Sequence, residues 1–236
     1  MTFNHGIGAR FYYDSFDFSG YTESVALALS RSLAEYRVLN ADGVGRVPGH
    51  RDARVALTGG PLDPATNDAI AWAAIGGAGA SGAWAFMPSG DVLSRACYLG
   101  QSLGENQQRT AGDDVVRLPV AMVNMARCDR GKVLRALAAG GISPGTAVDN
   151  GADSANGGAG YLICTANGGA LDVVIEESAT GVGDWSAICT FTQRTGATAT
   201  GSEVMVVAEG TAVKRYLRAT WTISVTATFF VAFGRR

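Results

Sequence analysis

Residues 216–225 read YLRATWTISV, and the reading of this stretch decides the fold class. Leu217, Ala219, Trp221, Ile223 and Val225 alternate without a break with Tyr216, Arg218, Thr220, Thr222 and Ser224. An extended chain turns the first set to one face and the second to the other, whereas a helix would scatter both around its circumference. The stretch is therefore a half-buried strand. After a turn near Thr226-Ala227, Phe229, Val231 and Phe233 continue on one face. Upstream, LDVVIEE at 171–177 groups Leu171, Val173 and Ile175, and DWSAICTF at 184–191 groups Trp185, Ala187, Cys189 and Phe191. Together these runs predict a small antiparallel sandwich over residues 161–236, apolar inside and Thr/Arg outside. Its expected core includes Trp185, Phe191, Trp221 and Phe229.

Moving outward, residues 148–160 read VDNGADSANGGAG, with no side chain larger than valine. Such a stretch offers little apolar area to offset the entropy of ordering it, so residues 142–160 are expected to be a glycine-rich linker. Residues 1–141 then form a first unit. ARFYYDSFDFSGY predicts a strand, a turn at Asp14-Ser15 and an aromatic continuation, and Val25, Leu27 and Leu29 alternate in a second strand. Residues 35–54, EYRVLNADGVGRVPGHRDAR, are polar, with Asp42-Gly43 as the strongest turn signal, and predict a long excursion between strands. One helix is expected over 63–75, capped by Asp63, with Pro64 in its first turn and Gly76-Gly77 at its end. Further strands are expected at 83–87, 95–103 and 115–125, while RGKVLRALAA at 131–139 fits helix or strand. The fold class is mainly β: a β-sandwich with one flanking α-helix, followed by a second antiparallel sandwich.

Composition agrees. Thirty-two glycines against six prolines favour short strands and turns, and 47% apolar with 17% charged residues is the balance of an ordinary folded protein. The formal net charge is −2, evenly spread: 13 basic and 13 acidic residues up to 140, then 6 and 8. A protein that grips nucleic acid through phosphates carries a basic excess, and this one does not. The four cysteines, Cys97, Cys128, Cys164 and Cys189, form no C-x-x-C pair, and buried free thiols in a reducing compartment are expected. The start of the chain lacks a basic segment followed by an apolar run, and no window approaches the roughly 18 apolar residues of a membrane span. A chain kept soluble inside a cell, without a membrane anchor, is the expectation.

The residues point away from catalysis. Gly77-Ala78-Gly79-Ala80-Ser81-Gly82 matches G-x-G-x-x-G, but it follows a helix and precedes a strand, the reverse of the order that aims a helix N-terminus at a pyrophosphate. Asp149, Asn150 and Asp153 hint at a calcium loop, yet Gly160 stands where a bidentate glutamate is needed. The two histidines are His5 and His50; His50 has Asp52 nearby, but no G-x-S-x-G elbow supplies a nucleophile. No cofactor, metal or enzymatic activity is expected.

Several stretches in order resemble the major tail proteins, or tail tube subunits, of long-tailed (siphovirus-type) bacteriophages infecting actinobacteria. They are DFSGYTESVALALSRS, RVPGHRDARVALTGG, AWAFMPSG, TAVDNGADSANGGAGYL, LDVVIEESATGVGDWSAICTFTQ and VKRYLRATWTISVTATFFVAFGRR, which together run over nearly the whole chain. The resemblance implies a tail-tube β-sandwich over 1–141 and an outer module over 161–236. It implies a hexamer whose rings stack into a tube, meeting the tape measure protein and the tail terminator and tip proteins. Genomic DNA passes through the lumen during ejection without specific binding, which suits a near-neutral subunit. The implied location is the virion tail, assembled in the host bacterial cytoplasm. The loop that reaches the neighbouring ring corresponds to residues 35–54, with Arg37, Arg46, His50, Arg51 and Arg54 as its contacts. A virion decoration protein and a carbohydrate-binding β-sandwich protein are the alternatives.

Overall fold

Alternation of the kind seen at 216–225 is realised as strand over most of the computed structural model, which describes residues 8–37, 44–76, 81–111, 116–125, 128–141, 143–196 and 200–236. The chain is mainly β, with antiparallel sheets and one α-helix among the described residues. The first part runs β1 (Arg10–Tyr13), β2 (Phe16–Asp17), β3 (Ser24–Arg37), β4 (Val44–Thr58), α1 (Asn67–Gly76), β5 (Gly82–Met87) and β6 (Ala96–Gln107). The short β7 (Thr110–Ala111) and β8 (Val116–Arg117) precede β9 (Val120–Asn124) and β10 (Asp129–Ala139). The remainder is β11 (Val148–Asp149), β12 (Gly158–Asn167), β13 (Ala170–Ser178), β14 (Ser186–Thr190), β15 (Arg194–Thr195), β16 (Gly201–Val207), β17 (Tyr216–Ile223) and β18 (Ala227–Arg235). The ambiguous stretch at 131–139 is strand, inside β10.

Two compact units result, and they are not divided where the linker was expected. One comprises Met1–Tyr21, Ser81–Gln101 and Asp129–Arg236; the other comprises Thr22–Ala80 and Ser102–Cys128. The reason is strand pairing across the anticipated boundary. β10 runs antiparallel to β18 from Arg130↔Arg235 to Ala139↔Thr228, and β12 occupies the other flank of β18 from Gly158↔Arg235 to Asn167↔Ala227. The end of the glycine-rich segment, residues 158–160, is part of this sheet, and Val148–Asp149 pairs with β17 in the smaller one. At Gly158 an added Cβ would lie 2.4 Å from the Gly234 carbonyl oxygen, and at Gly160 2.8 Å from Ile175 Cδ1. Glycine serves there for close approach of neighbouring chains, not for slack.

In the first unit a long sheet follows the order β16-β12-β18-β10-β6-β5-β1-β2. Its two ends meet through side chains: Ser202 donates from its backbone amide (3.0 Å) and its hydroxyl (2.9 Å) to Asp14 Oδ1, while the Ala83 amide donates to Ser202 Oγ at 2.8 Å. The sheet thus curls around one core, built of Tyr12, Ala85, Met87, Leu99, Val133, Tyr161, Ile163, Phe230 and Ala232. A smaller sheet, β11-β17-β13-β14 with β15 beside β13, encloses a second core with the opposite face of β12 and β18. That core holds Leu162, Leu171, Val173, Ile175, Phe191, Leu217, Phe229, Val231 and Phe233. Strands β12 and β18 therefore serve both cores, which is why Phe229–Phe233 is apolar at every position: a strand covered on both sides loses the polar half of its pattern.

Arg135 is a charged residue within this interior. It sits between two register shifts of β10, and its guanidinium donates to the carbonyl oxygens of Ala136 (3.1 Å), Ala138 (3.0 Å), Phe229 and Gly140. The rings of Trp221 and Phe229 lie 4.8 and 3.7 Å from its Cζ. Carbonyls freed by the bulges thus gain a donor, and burial pushes the arginine down to about 10.

Candidate assembly surface

The second unit is built on the β3–β4 hairpin, whose strands are 14 and 15 residues long. At about 3.3 Å per residue each arm reaches roughly 45 Å. The register runs from Ser24↔Thr58 to Arg37↔Val44, with a shift between Arg31 and Leu33. The expected irregular excursion at 35–54 is therefore strand at 35–37 and 44–54. Polar composition misled the reading because this arm is paired on one side only, and a strand in that position needs no apolar face. Pro48, which cannot donate to a ladder, stands opposite Leu33 beside the register shift, where β4 is paired to β3 alone. The turn signal Asp42-Gly43 lies outside the described residues.

Val55 and Leu57 of β4 and Val120 and Met122 of β9 are buried, while Ala56 and Arg54 pair in register with Ala121 and Val123 on the other face. Arg54 is exposed and lies 3.7 Å from Glu105, a surface contact of small energetic weight. Of the other residues expected at this surface, Arg37 falls on β3 and Arg46, His50 and Arg51 on β4. Their side chains lie outside the described set.

β3 pairs with β4 alone among the described strands, so its second edge presents backbone donors and acceptors. Over Ser24–Ser30 that edge reads SVALALS, without a charge, proline or bulge to deter pairing. Leu29 is 58% exposed. It alternates with Val25 and Leu27 as a core residue would, yet it belongs to neither buried core.

Helix α1 begins at Asn67, one turn later than expected, so Asp63 is not its N-cap; instead its Oδ1 accepts from the Ala65 amide at 3.0 Å in the preceding turn, and its own amide donates to Asn67 Oδ1 at 2.8 Å. Ala71 and Ala74 are buried; Trp72 is 62% exposed, with Arg109 placed 5.3 Å from its ring centroid and paired to Asp68 at 2.5 Å. Trp72, Leu29, Val116 and Met125 give this unit an exposed apolar component.

The residues expected in the core of the outer module divide. Phe191 and Phe229 are buried, and Trp221 is half-buried against the same core. Trp185 is elsewhere: it precedes β14, and its ring lies 4.1 Å from the Arg218 guanidinium, which also pairs with Glu176 at 2.7 Å. A register shift between Ile175 and Glu176 ends the alternation that had grouped Trp185 with Cys189.

The other motifs are occupied by structural contacts. Residues 77–80 of the glycine-rich match lie outside the described set, and Ser81 Oγ accepts from the Gln101 amide at 2.8 Å. Asp149 is bound by Arg215 at two 2.7 Å contacts and by the Gly151 amide, which hold its carboxyl well below the usual carboxylate range. Asp52 accepts from the Ala53 amide at 2.8 Å. Among the described residues no His/Cys/Asp/Glu group has metal-binding geometry, and no helix is long and apolar enough to cross a membrane. Cys97, Cys164 and Cys189 are free and buried, and burial pushes the Cys189 thiol up to about 12.

No family model matches the chain, and no curated protein matches it. Among solved structures, a virion of a native gene transfer agent particle is similar at 13% identity and a TM-score of 0.42, over 53% of this chain and 97% of that one. The crystal structure of the SPP1 Dit (gp 19.1) protein, a hub of the adsorption apparatus in phages infecting Gram-positive hosts, is similar at 11% identity and a TM-score of 0.39, over 96% of this chain and 98% of that one. The phage p2 baseplate in its activated conformation with Sr is similar at 8% identity and a TM-score of 0.38, over 97% and 98%. Likeness at these scores transfers no function.

Proposed function

We propose that this chain is a structural virion protein, a tail tube subunit whose hexameric rings stack into the conduit for phage DNA. The observation that carries the reading is the edge of β3, which no described strand pairs and which carries no charge over Ser24–Ser30, on a hairpin with arms of 14 and 15 residues. A long edge of this kind invites a further strand, and a head-to-tail contact between identical subunits that closes on itself generates a ring and covers every edge. The ordered resemblance of the sequence to tail tube subunits supports the same reading, and so does the near-neutral charge, since a wall with clustered cations would retain DNA. In this reading the tape measure protein and the terminator and tip proteins are partners, and no residue performs covalent chemistry.

Negative-stain microscopy of the purified chain tests the proposal, with Leu29→Lys as the companion variant. Stacked rings or tubes are expected for the parent and dispersed, folded subunits for the variant, because lysine on an edge opposes strand addition. Single rings that never stack would indicate a ring-forming tail component other than the tube. Monomers at every concentration, or tubes unaffected by Leu29→Lys, would overturn the assignment of β3 as the joining edge.

A further inference from the structure

The chain contains three Asn-Gly pairs, Asn150-Gly151, Asn156-Gly157 and Asn167-Gly168. This dipeptide is chemically fragile. The glycine nitrogen, unhindered by any Cβ on its own residue, attacks the asparagine side-chain carbonyl carbon; a C–N bond forms, the C–NH2 bond breaks and ammonia leaves. Water then opens the cyclic imide at either carbonyl, giving aspartate or isoaspartate. The reaction needs a carboxamide that can swing onto the glycine nitrogen, and each hydrogen bond that holds either group slows it.

The fold restrains the three sites unequally. Asn150 donates from Nδ2 to the carbonyl oxygens of Val148 (3.3 Å) and Arg215 (3.1 Å), and the Gly151 amide is held by Asp149 Oδ1 at 2.7 Å. Asn167 donates to Gly169 O (2.8 Å) and Arg194 O (3.3 Å) and accepts from the Gly169 amide at 3.1 Å, while the Gly168 amide donates to Thr226 O at 2.8 Å. At both sites the nucleophile and the electrophile are tied down. Asn156 is exposed and has no side-chain hydrogen bond among the described residues; its one restraint is the Gly157 amide, which donates to Thr211 O at 2.9 Å.

We propose that Asn156 is a spontaneous modification site, at which the folded chain converts to aspartyl and isoaspartyl forms while Asn150 and Asn167 are protected. The isoaspartyl product threads the main chain through the former side chain and so inserts one extra backbone atom just before Gly157. The added length falls on the Ser154↔Val213 bridge, whose two hydrogen bonds of 2.9 and 2.8 Å tie down the approach to β12. Ageing at Asn156 thereby loosens the entry to a strand that both cores share.

The test incubates the purified full-length chain in mildly alkaline buffer, folded and in urea, and follows each site by peptide mass spectrometry and isoaspartyl methylation. Each restraining hydrogen bond slows reaction by a factor of a few, so Asn156 is expected to convert at least roughly tenfold faster than Asn150 or Asn167 in the folded chain. All three are expected to convert at comparable rates in urea. Asp149→Ala, which frees the Gly151 amide at an exposed position, should speed Asn150 and leave Asn156 unchanged. Conversion at Asn150 or Asn167 as fast as at Asn156 in the folded chain would overturn the proposal. So would a folded chain inert at Asn156, or an Asn150 indifferent to Asp149→Ala.

Discussion

β18 and β3 are both apolar strands, and the molecule uses them in opposite ways. β18 lies between β12 and β10, with Phe229, Val231 and Phe233 in one core and Phe230 and Ala232 in another. β3 has one neighbour, and its apolar row ends in an exposed leucine. The difference teaches that an apolar strand signals burial somewhere, in its own chain or in an assembly, and that pairing determines which. Burial within the chain covers β18 on both faces. At β3 an apolar side chain and a strand edge are left uncovered, which in the proposed ring a second copy would cover.

The comparison breaks most readily by truncation. A chain ending at Gly141 keeps β10 but loses β12 and β18, so the curled sheet is opened and the core around Tyr12, Leu99 and Val133 is exposed. Insoluble or unfolded product is expected on expression, measured by solubility and circular dichroism. Folded 1–141 that assembles would show that the first unit does not depend on its shared strands. This reverses the view that residues 161–236 form an independent module, because a strand serving two cores cannot be removed with one of them.

Point substitutions sharpen the contrast. Phe230→Ala removes a fully buried ring that lies 5.3 Å from Tyr12, and is expected to cost about 3–5 kcal/mol in urea denaturation. Leu29→Lys at the exposed edge is expected to change stability by about 0.5 kcal/mol or less. Equal losses for the two would erase the distinction between a core strand and an open edge.

The smallest effect is pH-dependent. Arg215, with the Gly151 amide, lowers the Asp149 carboxyl below its unfolded value, so the contact stabilises the fold above the ordinary carboxylate range. That contribution is lost as pH falls below about 4 toward the folded value. Asp149→Asn should therefore lower the denaturation midpoint at neutral pH and flatten its decline in acid. An acid profile identical to the parent's would show that the 148–150 anchor contributes nothing to the first unit's advantage.

The sequence by itself determined the element types where period and burial agree. Residues 171–177 and 216–223 alternate because one face meets a core and the other meets solvent, and that pattern is local. It also determined the turn at Asp14 and the near-neutral net charge. Tertiary structure alone decided the rest. Composition marked 142–160 as slack chain, because glycine reads the same whether it gives freedom or admits a neighbour; the carbonyl of Gly234 beside Gly158 settles which. It marked 35–54 as irregular, because a strand paired on one side needs no apolar period. It placed Trp185 in the core, because the register shift at Ile188 of β14, which breaks the alternation, leaves no trace in the residue types. Leu29 and Phe230 are both apolar residues on strands, and which one meets water depends on whether other segments pack over its face, a property of packing between segments far apart in the chain.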